Sequence, residues 1–149
     1  MGNEREYNSS GGFSEHLYDD HPDYVPFYHN GLKAKVIMLK ADPDGNHAGL
    51  PPFADTSDIY LRVGKSGNVI QAKVYVDRKH SLDFDWGHEH RNKGAGSNSQ
   101  VFPKGVVHVQ KYSQTNQRIS NQARYMTDAE IEKYGAILKH FDPKVKFRP

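Results

Sequence analysis

The residues able to do chemistry concentrate between Asp77 and His108. The span reads Asp77-Arg78-Lys79-His80-Ser81-Leu82-Asp83-Phe84-Asp85-Trp86-Gly87-His88-Glu89-His90, and further on Phe102-Pro103-Lys104-Gly105-Val106-Val107-His108. His88 and His90 are separated by one residue, so on extended backbone both side chains leave the same side. His108 lies in an alternating apolar stretch, and its face can converge on that pair. Imidazole is the side chain whose proton moves near neutral pH, which suits general acid and base work. Two imidazoles flanking a phosphodiester can remove the ribose 2′-OH proton and protonate the leaving 5′-oxygen. A lysine or arginine would offset the charge building on the phosphoryl oxygens. Such chemistry needs no metal, no cofactor and no cysteine.

The same side chains allow two other readings. His88, His90 and His108, with a nearby carboxylate, form a ligand set suited to zinc, iron or manganese. Pro103, Gly105 and His108 resemble the second cupin motif, Pro-x-Gly-x-x-His, and His88-Glu89-His90 resembles the His-x-His of the first. Alternatively, the histidines are polar loop residues anchored by Phe84 and Trp86, in a non-enzymatic binding module of phage or mobile-element origin. His16, His21, His29 and His47 lie scattered among turn residues and carry no assigned role.

Composition narrows the field. The chain has 149 residues, enough to bury a sizeable core, and no cysteine. Disulfides, zinc-thiolate sites and cysteine nucleophiles are thereby excluded. Nothing approaches the ~20 apolar residues that span a bilayer, and the polar residues 1–10 predict no secretory signal. These features fit a cytoplasmic site of action, also after delivery as part of a larger secreted or phage protein. The net charge of +2 is unevenly spread. Residues 1–29 carry six acids against one base, and the remainder carries 19 bases against 12 acids. No acid falls between Glu89 and Asp128, where Arg91, Lys93, Lys104, Lys111, Arg118 and Arg124 all lie. A one-sign stretch of this length raises the local concentration of an anionic ligand.

Several elements must position these groups. Short apolar or alternating runs predict strands over residues 34–40, 59–63, 68–77 and 106–112. Gly64-Lys65-Ser66-Gly67 reads as a hairpin connection, and residues 42–46 as a turn. In the third strand Val69, Ile70, Ala72, Val74 and Val76 are expected on an apolar face, with Gln71, Lys73, Tyr75 and Asp77 opposite. Alternation in the fourth sets His108 and Gln110 against Val107 and Val109. Residues 79–99 read as a polar loop anchored by Leu82, Phe84 and Trp86, and residues 113–121 as a polar, basic loop. Thr127-Asp128-Ala129-Glu130 is a capping box. Ile131, Tyr134, Leu138 and Phe141 follow at helical spacing, Pro143 ends the helix, and residues 145–148 predict a last short strand. The predicted fold is α+β: a mainly antiparallel sheet of about four strands and a C-terminal helix, in a single domain over residues 31–149. Residues 1–30, with Pro22, Pro26 and several aromatics, are expected to form an irregular acidic arm.

The order Gly67-Asn68-Val69-Ile70, then Tyr75-Val76-Asp77, then Asp83 to His90, then a His-bearing strand resembles the C-terminal toxin domains of bacterial polymorphic toxin and phage-associated proteins. Some of these are grouped with the barnase–EndoU–colicin–RelE class of metal-independent ribonucleases. The resemblance covers roughly residues 59–112. Tyr134-Gly135-Ala136-Ile137-Leu138 and Lys146-Phe147-Arg148-Pro149 also look like the tails of such domains. It implies a hydrolase that cleaves RNA by acid–base catalysis, with His88 and His108 as acid and base in either order. His90 or His80 would be auxiliary, and Asp85 would orient one imidazole. Lys104 or Lys111 would steady the phosphate, with Arg91 and Lys93 also binding substrate. An immunity protein that neutralises the toxin is the implied partner besides RNA, and no membrane is involved.

Overall fold

The computed structural model describes residues 15–41, 49–92, 100–112 and 123–149. The expected turn at 42–46, the basic loop at 113–121 and Lys93 lie outside the described residues. Among the described residues a 3-10 turn at Glu15–Leu17 leads into nine strands: β1 Tyr18–Asp20, β2 Phe27–His29, β3 Leu32–Leu39, β4 Ile59–Val63, β5 Val69–Val76, β6 Lys79–Asp85, β7 His90–Arg91, β8 Val101–Phe102 and β9 His108–Lys111. One helix, α1, spans Asp128–Phe141. The main sheet runs β1-β3-β4-β5-β6-β9, with β2 also paired to β3, and β7 and β8 form a separate ribbon. Only the β3–β4 pairing in the main sheet is parallel. No described helix is long and apolar enough to cross a membrane.

The α+β class and the mainly antiparallel sheet agree with the sequence, but the main sheet has seven strands where about four were expected. Part of the excess comes from the supposed arm. From Glu15 onward it carries β1 and β2, which pair with opposite halves of β3 around the Pro22–Pro26 interruption. Phe27 stacks on His140 of the helix, with ring centroids 3.8 Å apart, and meets Phe141 edge-on. Aromatic packing on α1 therefore fixes a segment too short to announce itself as strand. β6 is the other addition. The expected polar loop is a strand through Asp85, held between β5 and β9. The C-terminal strand shrinks to one parallel bridge between Val106 and Lys146.

The helix packs on one face of the sheet. Ala34, Val36, Ile59, Leu61, Ala72, Val74, Phe84, Val107 and Val109 form a core with Tyr134, Ile137, Leu138 and Phe141 of α1. Thr127 Oγ1 accepts the Glu130 amide at 3.1 Å and Glu130 returns the bond to the Thr127 amide at 2.9 Å. Such a cap contributes about 1 kcal/mol. Arg124 grips the same carboxylate with two nitrogens, at 2.7 and 2.9 Å. Gly135 sits where an added Cβ would lie 3.1 Å from the Phe147 ring, so the residue that weakens helix propensity permits a close approach.

The opposite face of β5 was expected to carry Gln71, Lys73, Tyr75 and Asp77. Alternation holds, but Gln71, Lys73 and Tyr75 are buried while Val76 is 53% exposed. Leu50 and Ala54, from the Pro-rich segment, pack over Ile37, Tyr60 and Tyr75. Lys73 Nζ reaches the Leu50 carbonyl at 3.4 Å. A central strand covered on both sides buries its polar residues provided they find partners.

Candidate functional site

Cross-strand register builds the site on that second face. β6 and β9 pair antiparallel with Asp85 opposite His108, so the two side chains share a side. β5 sets Gln71 opposite Asp85, and β4 sets Arg62 opposite Gln71. The result is one row across four strands: Arg62, Gln71, Asp85, His108. Just past β6 the chain turns sharply, because Asp85 Oδ1 accepts the Gly87 amide at 3.1 Å. That turn brings His88 back over its own strand, with Nδ1 3.3 Å from Asp85 Oδ1. His90 opens β7 and is held opposite Phe102 of β8.

The three imidazoles thus meet. His90 and His108 lie nearly parallel, centroids 4.7 Å apart, and His88 stands edge-on to His108 at 5.3 Å. One nitrogen from each of the three lies within 4.8 Å of the others. Phe102, fully buried, walls the cluster and packs against both His90 and His108. His108 Nδ1 and His90 Nε2 are buried with no hydrogen-bond partner among the described residues. Such nitrogens are costly to bury idle and are available to a proton, a substrate hydroxyl or a metal ion.

The electrostatics separate two of the imidazoles. The hydrogen bond to Asp85 holds the His88 pKa above its ordinary value, against partial burial. Burial drives His108 the other way, to about 4, and the neighbouring His90 and His88 add to the effect against Asp85. Burial also pushes the Asp85 carboxyl up, but its bonds from His88 and Gly87 and the nearby imidazole charge outweigh this and leave it below the usual range. Near neutral pH one imidazole is therefore biased to carry a proton and its neighbour to lack one. Environments that push two titratable groups apart are how sites divide acid from base.

Not every residue expected at the site joins it. His88, His90, His108 and Asp85 come together. His80 faces the same side but lies five residues back from Asp85 along β6, roughly 16 Å at ~3.3 Å per residue. A register shift at Val74/Tyr75 pairs it with Tyr75, and its ring sits edge-on to Tyr112 at 4.0 Å. It is a buried packing residue set apart from the three imidazoles, and so is not the auxiliary catalyst that the resemblance implies. Lys111 shares the face of Val109, opposite Leu82, and so points away from His108. Arg91 alternates with His90 and is exposed. Lys104 is exposed in the turn before β9.

The sequence reading missed Arg62, Gln71 and Asp83. Arg62 Nε donates to Gln71 Oε1, and Gln71 Nε2 donates to Asp83 Oδ1 at 2.7 Å. Burial, and then Asp85 against the opposing cations, raises the Asp83 pKa. The Arg62 charge is close enough to act on His88. Arg62 and Gln71 meet through the β4–β5 register, which alternation within either strand does not supply.

The buried histidines predict an acid-sensitive fold. His80 is held down to about 3 and His108 to about 4, both chiefly by burial. Between those values and the ordinary 6.5, the unfolded chain binds more protons than the native one, so stability rises with pH across that window. The stability conferred by neutral His80 and His108 is complete above about 6.5 and falls as pH drops toward 4. His88, raised and half-exposed, acts weakly in the opposite sense: its contribution is present below 6.5 and lost as pH rises through its folded value. Thermal denaturation against pH should show the melting temperature falling below pH 6.5. An unchanged value down to pH 4 would show that these imidazoles are not held neutral.

Compared with known proteins, the chain matches no family model, no curated protein and no solved structure.

Proposed function

We propose that the chain is a metal-independent endoribonuclease whose imidazole cluster cleaves RNA by general acid–base catalysis. The observation that carries this reading is the pairing of His88, its pKa raised by the bond to Asp85, with His108, its pKa lowered by burial, at a ring separation of 5.3 Å. His108 removes the 2′-OH proton, the 2′-oxygen attacks phosphorus, and the P–O5′ bond breaks. His88 gives its proton to the departing 5′-oxygen, leaving a 2′,3′-cyclic phosphate and a 5′-hydroxyl. Arg62 offsets charge on the non-bridging oxygens and Asp85 holds His88 in place. The toxin-domain resemblance supports the same reaction, with RNA as substrate and an immunity protein as partner. The test is cleavage of an RNA oligonucleotide and its 2′-deoxy counterpart in excess chelator. RNA cut and DNA intact is expected; cleavage of both, or of neither, contradicts the reading.

A second reading is favoured by the two idle buried nitrogens and the 4.8 Å span of the ligand atoms. His88, His90 and His108 would hold a divalent ion, and Asp85 would orient His88 as carboxylates do for metal-bound imidazoles. Stoichiometric zinc, iron or manganese in the purified protein, with activity lost on chelation, would select it.

A further inference from the structure

Beside the turn that presents His88 lies a cavity of about 620 Å³. Ligand sites usually fall between about 300 and 1,000 Å³. Val69, Ile70 and Trp86 give it an apolar floor and Tyr24 an aromatic wall, while Lys65, Lys104 and Lys144 reach it from three separate loops. None of these lysines is in an ion pair among the described residues. The one carboxylate there, Asp142, is already committed: Oδ2 accepts Trp86 Nε1 at 2.9 Å and Oδ1 accepts the Lys144 amide at 3.1 Å. Three cations therefore outweigh one carboxylate and the negative end of α1. Gly87 also lines the cavity, is the direct neighbour of His88 and bonds Asp85. Its bare Cα lies against Ile70, where an added Cβ would come within 2.7 Å, so the backbone of the turn that presents His88 itself forms part of the cavity lining.

We propose that this cavity is a subsite for a nucleotide of single-stranded RNA flanking the scissile bond, with Lys65, Lys104 and Lys144 holding its phosphates and Tyr24 facing its base. The proposal deepens the ribonuclease reading and rests on it. Bases stack on aromatic side chains without sequence preference, and lysines track the backbone charge. Binding that neutralises phosphates is strongly salt-dependent, with a slope in log K against log salt of about −0.7 per single-strand contact.

The experiment measures fluorescence anisotropy of a labelled 2′-O-methyl RNA oligonucleotide, which lacks the attacking hydroxyl, with the full chain over a salt series. Each of Lys65→Ala, Lys104→Ala and Lys144→Ala should weaken binding and flatten the slope by about 0.7, and the triple variant by about 2. Lys133→Ala, on the exposed side of α1, should change neither. Unchanged binding in the triple variant would overturn the subsite, and so would an equal loss at Lys133. Cleavage of the unmodified oligonucleotide is scored separately. Weakened binding in the lysine variants with uncut RNA keeps the subsite and removes the ribonuclease. Cut RNA with unchanged binding does the reverse.

Discussion

His108→Ala lowers RNA cleavage about 10²–10⁴-fold, the range a single general acid or base contributes, and His88→Ala lowers it by a similar factor. The double variant loses little more than either single one, because groups that act as a unit are not additive. His108 is buried against Phe102, so His108→Asn is the companion variant: it keeps a polar group of smaller volume and loses the base. Circular dichroism on each variant separates a lost fold from a lost proton acceptor. The pH profile carries the sign of the assignment. Activity falls on the acid side as His108 protonates, near 4, and on the alkaline side as His88 loses its proton above 6.5. Asp85→Asn removes the carboxylate charge that raises His88, so the alkaline limb moves to lower pH; the acid limb moves the same way, because that charge also holds His108 up against burial. Full activity in His108→Asn, or an alkaline limb indifferent to Asp85→Asn, would break the assignment.

Phe84→Ala costs about 3–5 kcal/mol of folding stability, the usual range for truncating a fully buried aromatic. Phe84 is 0% exposed, packs on Tyr134 of α1 with centroids 5.5 Å apart, and pairs with Val109 across the β6–β9 register. It also lies between Asp83 and Asp85, so its loss loosens the strand that carries the site. At about 2–4 °C per kcal/mol for a chain near this size, the melting temperature should fall by roughly 6–20 °C. Val76→Ala, on a side chain 53% exposed in the neighbouring strand, should stay within about 0.5 kcal/mol of the parent. A shift under about 2 °C for Phe84→Ala would mean that β6 is the surface loop its polarity suggests.

Legibility in the sequence followed the range of the interactions. The capping box, the apolar stripe of α1, and β3, β4 and β5 rest on local patterns, and they stand. β6 was hidden because only Leu82 and Phe84 mark it as apolar: its buried positions alternate from end to end, but His80 fills one of them. β1 and β2 have three residues each, below what periodicity can signal, and exist because β3 and His140 receive them. The imidazole cluster was legible through the His-x-His spacing and the face of His108. Its electrostatic division was not, since burial by Phe102 and the turn at Gly87 are tertiary facts. Arg62 entered through register alone: β4 lies two strands from β6, and nothing near it in sequence points to His88. Lys111 was a different kind of miss, because the alternation that placed His108 also placed Lys111 on the other side.

The central claim is that imidazoles move protons across an RNA phosphodiester, and the ends of the product record that step. An RNA oligonucleotide with the wild-type chain in excess chelator, analysed by mass spectrometry, should yield 2′,3′-cyclic phosphate and 5′-hydroxyl termini. RNA that stays intact, or that is cut to 3′-hydroxyl and 5′-phosphate ends, would contradict it.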